Sequence, residues 1–203
     1  MAVIHQTTLT PTKLELLADW LPLQPWYVPT GRPIALAKAG GFRLDDPAGE
    51  VGIEFMVATD QSAPAAVSYH LPLTYRGAPL AGAESGLVGL AHHGVLGRRW
   101  VYDGVQDPVL MVQLIELLRG NVQAQAQSVS DATDPTVIAC YTGTDLTQAD
   151  VRIIRRPEPT NAGPEPDDDG TSGYVAANWH LPDGSPIRGR LVLVHSPASR
   201  LAQ

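Results

Sequence analysis

One segment limits the possible folds more than any other. It runs Asp107-Pro-Val-Leu-Met-Val-Gln-Leu-Ile-Glu-Leu-Leu-Arg-Gly120. Asp107 and Pro108 fit an N-cap and a first-turn proline, and Gly120-Asn121 fits a left-handed stop. Between Val109 and Leu118 only Gln113 and Glu116 are polar, and Arg119 extends their stripe. A polar stripe this narrow predicts a helix over about 108–119 that is buried around most of its circumference. The natural complement is a curved antiparallel sheet wrapped around it. The aromatic run Trp100-Val-Tyr-Asp103 just before it reads as one strand of that sheet.

The chain has 203 residues, with 19 Gly and 18 Pro, which favours many short elements joined by turns. The expected class is therefore α+β, with a second, short helix over about 11–21. Its start is marked either by Pro11 as the first helical residue or by Thr12 with Glu15 as a capping box, and Pro22 and Pro25 end it. A weak alternation over 3–9 suggests an edge strand. Further strands are expected at 34–45, 51–59, 65–75, 100–103, 122–129, 136–142, 151–156, 173–181 and 188–195. In Val51-Gly-Ile-Glu-Phe-Met-Val57 the odd positions are apolar, which predicts Glu54 facing solvent. The phrase aromatic-His-Leu-Pro occurs at Tyr69 and again at Trp179, and it reads as one turn chemistry used twice, with a duplicated hairpin as the alternative. The organisation expected is a domain over 1–125 and a β-rich extension over 126–203. The latter contains an acidic, Pro-rich loop at 157–172 with too little apolar surface to order itself.

A formal net charge of -7 argues against general affinity for nucleic acid or an anionic membrane surface. The single cysteine, Cys140, rules out an intrachain disulfide framework and suits a reducing compartment. Neither a signal peptide nor a spanning segment is visible, so the expected location is the cytoplasm. Exposed β-edges suggest a homodimer.

The residues that could carry chemistry are few. Adjacent His92 and His93 would point to opposite faces of a strand and chelate one metal poorly. His5, His70, His180 and His195 read as structural, hydrogen-bonded histidines, and Cys140 as a buried, inert thiol. Asp45/Asp46 and Asp167–Asp169 sit in turn-like sequence unsuited to general acid–base work. There is no nucleophile elbow and no phosphate loop. Arg98-Arg99 could meet a phosphate or carboxylate, or stack on Trp100 and Tyr102. Trp26-Tyr27, on a proline-stiffened loop, could form a stacking platform or a lid over the preceding helix. The binding residues expected are thus Trp26, Tyr27, Arg99, Trp100 and Tyr102, with no catalytic residue, metal or cofactor.

Three segments in order, Leu21–Ile34, Tyr69–Leu80 and Val95–Gly120, resemble the N-terminal cap of actinobacterial maltokinases and related aminosugar kinases over roughly residues 10–125. The run Leu96-Gly-Arg-Arg-Trp-Val-Tyr-Asp-Gly104, followed by Asp-Pro-Val and a helix, carries most of that resemblance. In such enzymes the resemblance places nucleotide, sugar and phosphotransfer carboxylates in later lobes. Here no catalytic-loop Asp and Asn stand at kinase spacing, and Val151-Arg-Ile-Ile-Arg-Arg-Pro157 lacks a phosphate-pairing lysine. The resemblance therefore implies a stand-alone, non-catalytic cap-like protein, an interaction or regulatory module working with an enzyme of trehalose, maltose or glycogen metabolism. The alternative is a small-ligand or glycan binder using the five residues above.

Overall fold

The strand Gly52–Asp60 (β3) is buried on both faces, and that fact organises the molecule. Ile53, Phe55 and Val57 enter one apolar cluster, while Met56 and Ala58 enter another. The computed structural model describes residues 9–127, 132–160 and 170–196. Around β3 lie Leu9–Thr10 (β1), Leu36–Leu44 (β2), Val67–Arg76 (β4), Leu87–His93 (β5), Gly97–Asp103 (β6), Gln125–Ala126 (β7), Ile138–Tyr141 (β8), Asp150–Ile153 (β9), Thr171–His180 (β10) and Pro186–His195 (β11). They form one antiparallel sheet in the order β1-β5-β6-β4-β3-β2-β10-β11-β9, with β7 paired to β2 and β8 to β10. Among the described residues two α-helices, Lys13–Trp20 (α1) and Pro108–Leu118 (α2), complete an α+β fold.

The helices serve opposite faces of the sheet. From α2, Leu110, Gln113, Leu114, Leu117 and Leu118 are buried, the i, i+3, i+4, i+7, i+8 spacing of one helical face. They pack on Phe42, Phe55, Val175, Trp179 and Val192 of β2, β3, β10 and β11. Burying each such leucine stabilises the fold by roughly 1.5–3 kcal/mol. Glu116 keeps the polar side of the stripe, but Gln113 is buried and Val112 is exposed. The sheet covers a face centred between Leu110 and Leu117, and Gln113 falls inside that face. From α1, Leu16, Leu17 and Trp20 pack on Met56, Tyr69, Leu71, Ala91 and Val101.

Both helix starts follow local chemistry. Thr12 and Glu15 form the capping box, so Pro11 stands before the cap instead of opening the helix. Asp107 caps α2 by accepting from the Val109 N–H. Its two oxygens also accept from Arg76 Nε and Nη2, both at 2.7 Å, which ties the end of β4 to the start of α2. At the far end, Asn121 N–H donates to Glu116 O and Gly120 N–H to Leu117 O, a Schellman stop with Gly120 at φ 76°. Asp107→Asn keeps the cap acceptor and loses the charge facing a half-buried guanidinium. The expected loss, read by urea unfolding, is about 1–2 kcal/mol.

The sheet curls until its two flanks meet. Residues 154–160 run between them: Ile154 N–H donates to Leu191 O, Thr160 N–H to Arg188 O, and His70 N–H on β4 to Arg155 O. Pro72 lies beside this stretch of β4, just where pairing with β6 (Leu73–Arg76) ends, so its missing N–H costs no ladder bond.

Several local expectations are corrected. Glu54 is buried, because α1 covers the face to which alternation sends it. Tyr69-His-Leu-Pro72 runs through the middle of β4, whereas Trp179-His-Leu-Pro182 ends β10 at a turn, so the shared phrase does not encode a shared turn. Cys140 is only partly buried, on a short strand at the side of β10. Of the strand expected at 122–129, only Gln125–Ala126 pairs, and residues 128–129 lie outside the described residues. So do 3–8, with His5, and 161–169, the centre of the acidic Pro-rich segment; its end, Thr171–Ser172, belongs to β10. His180 is exposed at the end of β10.

Candidate functional site

On the α1 face, β2, β3, β4 and β6 floor a groove of about 800 Å³, within the range typical of small-molecule sites. Strand register builds it. Glu54 stands opposite Arg43 on β2, and Tyr75 on β4 lies opposite Gly52 on β3. A Cβ at Gly52 would sit 3.3 Å from the Tyr75 ring, so glycine keeps the floor low beneath the aromatic. Just past β4, a Cβ at Gly77 would lie 3.0 Å from Arg99 Nη1, so glycine again admits the neighbouring side chain. Leu9, Pro79 and Leu96 supply apolar rim.

Glu54 is the centre of this arrangement. Lys13 Nζ donates to both its oxygens at 2.7 and 2.9 Å, Tyr75 OH to Oε2 at 2.6 Å and Gln127 Nε2 to Oε1 at 2.8 Å. Burial pushes its pKa up, but Lys13's charge and hydrogen bonds, with help from Tyr75 and Lys38, prevail and hold the carboxyl below its ordinary value. Glu54 is therefore an anion fully occupied by donors. Burial, and then the Glu54 charge, drive the Tyr75 hydroxyl well above its usual value, so it stays a proton donor. Asp46, also on the lining, is taken up by its own turn, accepting from the N–H groups of Ala48, Glu50 and Val51.

The five residues expected to bind divide into three places. Trp26 and Tyr27 form a lid on the α1 cluster: Trp26 sits 5.9 Å from Trp20 edge-on, and Tyr27 stacks on Tyr69 at 5.9 Å. Arg155 lies 4.9 Å above the Trp26 ring and also pairs with Asp103 through Nη2. Arg99 lines the groove. Trp100 and Tyr102, one residue out of phase with Arg99 on β6, turn to the opposite face. There Tyr102 is buried and its hydroxyl accepts from Leu80 N–H at 2.9 Å, while Trp100 is half-exposed with Arg98 at 5.9 Å. Trp26 and Tyr27 thus share one cluster and Trp100 and Tyr102 one face of β6, but the five are not gathered.

His93 reaches the groove and accepts from Val95 and Leu96 N–H at Nδ1; His92 is exposed. Among the described residues no group of three or more His, Cys, Asp or Glu is placed to hold a metal ion. No described helix is long and apolar enough to cross a membrane. Lys13, Arg43, Glu54 and Tyr75 carried no site signal in the sequence. The Lys13–Glu54 contact spans 41 positions, and only alternation on β3, combined with a helix above it, could have suggested it.

The five-stranded antiparallel unit β2–β6, with the loop bearing Trp26 and Tyr27 before it, coincides with one known family. Residues 20–107 match the family model of the maltokinase N-terminal cap domain. Over this segment the chain is similar to the maltokinase N-terminal cap domain. The match opens at the last residue of α1 and closes at the cap of α2, so it is shorter at both ends than the 10–125 span of the sequence resemblance. It is to a cap domain, and no catalytic domain is matched. No curated protein matches the chain. The later strands do not stand apart from the cap-like segment: β10 and β11 continue its sheet beyond β2, and they cover α2.

Proposed function

We propose that this cap-like protein is a non-catalytic interaction or regulatory module that acts with an enzyme of trehalose, maltose or glycogen metabolism. The observation that carries the reading is the cap-domain match over 20–107, in a chain whose later strands β8–β11 are used to complete the cap's own sheet and core. The surface supports it. Among the described residues, four of the seven exposed large apolar side chains, Leu87, Leu90, Val95 and Leu96, lie on the β5–β6 ribbon inside the matched segment. Leu90 stands opposite half-exposed Trp100, so the outer face of the ribbon presents paired apolar side chains and an arginine. Trp100 and Arg98 are of the residue types that partner-contact centres favour.

The test is affinity capture with the full chain from a lysate of an organism that makes it, alongside an assay for ATP-dependent phosphorylation of maltose and glucosamine. Recovery of an enzyme acting on trehalose, maltose or glycogen is expected, with no sugar phosphorylation by the protein alone. Leu90→Asp is expected to lose the captured enzyme while changing stability by no more than about 0.5 kcal/mol, since the side chain is on the surface. Capture without any enzyme of that metabolism, or turnover of ATP by the isolated chain, overturns the reading.

A further inference from the structure

The groove over Glu54 has a charge pattern that its internal pairings leave unbalanced. Lys13 is spent on Glu54, and Arg76 is spent on Asp107. The Arg43 guanidinium makes no hydrogen bond or ion pair among the described residues, although it lines the groove beside Glu54. Arg99 uses Nη2 on Leu96 O at 3.0 Å, and its Nε is buried with no partner among the described residues. A buried guanidinium N–H without an acceptor is costly, and this one belongs to a side chain on the groove wall. Cations also crowd here in a chain of net charge -7. Lost hydration lowers the Lys38 pKa first; Glu54 pulls it up, and the positive charges of Lys13 and Arg43 push it down further. Of the acidic lining residues, Glu54 and Asp46 are already occupied, which leaves Glu50, exposed at the rim.

We propose that this groove is a binding site for a small phosphomonoester, held by the guanidinium groups of Arg43 and Arg99. Two guanidiniums with donors left over in one cavity match a doubly charged, oxygen-rich anion better than a single carboxylate. The volume of about 800 Å³ leaves room for a polar body of sugar or nucleoside size beside the phosphate. Tyr75, held protonated as a donor to Glu54, gives that body an aromatic surface over the Gly52 floor. The site stands independently of any partner enzyme, since every residue in it comes from this chain.

Calorimetric titration of the full chain tests it, with glucose 6-phosphate, inorganic phosphate and glucose as probes. Sub-millimolar binding of glucose 6-phosphate is expected, weakening with salt, with no response to glucose. Inorganic phosphate binding as tightly as glucose 6-phosphate makes the anion the whole determinant; tighter binding of the sugar phosphate adds contacts to its body. Arg99→Gln and Arg43→Gln are each expected to weaken binding by roughly tenfold or more. Arg99→Lys, which keeps charge without the fork, is expected to fall between Arg99→Gln and the parent, and it reports on the site should Arg99→Gln fold poorly. No binding of either phosphate up to about 10 mM, equal binding of glucose and glucose 6-phosphate, or unchanged affinity in the folded variants overturns the proposal.

Discussion

Trp179→Ala is expected to cost about 3–5 kcal/mol of stability, measured as a shift in the urea midpoint at constant slope. The indole is fully buried and sits where the matched sheet joins the later strands. Trp179 stands opposite Gly40, the one register pair between β10 and β2. Both neighbouring strands give way to it. A Cβ at Gly40 would lie 2.8 Å from Trp179 Cβ, and one at Gly189 on β11 would lie 2.5 Å from the ring. Truncation would therefore open a cavity two of whose walls, at Gly40 and Gly189, have no side chain to fall into it, which limits relaxation. The indole Nε1 has no hydrogen-bond partner among the described residues. Trp179→Phe removes that orphan donor while keeping much of the volume, so its loss should be clearly smaller than that of alanine. Equal losses for the two variants, or an alanine loss below about 1 kcal/mol, would show that packing at this junction is not what holds the two parts together.

Acid is expected to loosen the fold well before carboxylates protonate. His70 is buried inside the curled sheet, 6.0 Å from Phe55 ring to ring, with Nδ1 3.1 Å from Ile154 O. Because a carbonyl only accepts, Nδ1 carries the proton of the neutral ring. Burial, and then the positive charge of Arg155, push the pKa from 6.5 to about 3. Between those values the unfolded chain binds a proton that the folded chain refuses, so stability falls as pH drops through 6.5 and continues to fall toward 3. The full effect is roughly 4–5 kcal/mol. Glu54 and Asp107 are also held low, but from ordinary values of 4.5 and 3.8, so their contributions are lost only in more acid solution. The interval from pH 6.5 down to about 5 belongs mainly to His70. Urea midpoints for the parent and His70→Gln across that interval are expected to converge as pH falls, with a steep parent curve and a flatter variant curve. Parallel curves would assign the acid sensitivity elsewhere. Since the His70 N–H and ring both meet residues 154–155, the first region to lose amide protection in acid should be the seam between β4 and β11.

The candidate site was legible in part. Arg99 was visible as one of two adjacent arginines beside aromatics, and it does reach the groove. Its partners were not visible, because register alone brings them together: Arg43 meets Glu54 across a hairpin, Tyr75 reaches Glu54 from 21 positions away and Gln127 from 73. The aromatic loop shows the reverse case. Trp26 and Tyr27 stood out as a possible platform, yet their rings are engaged by Trp20, Tyr69 and Arg155, residues that no short window contains.

Where a feature depends on neighbours within one turn of chain, residue order came close, leaving only the choice between Pro11 and Thr12 at the start of α1 open. The capping box at Thr12 and Glu15, the Asp107-Pro108 start, the Gly120 stop and the alternation of β3 all arise from local hydrogen bonding and backbone geometry. Which face of an element meets protein and which meets water was settled only by assembly. Glu54 and Gln113 are polar residues in positions that alternation or a polar stripe sends outward, and both are buried because a helix or a sheet covers that side. Local pattern sets the direction in which a side chain points, while the curl of the sheet, closed by residues 154–160 and centred on Trp179, sets what lies there to receive it.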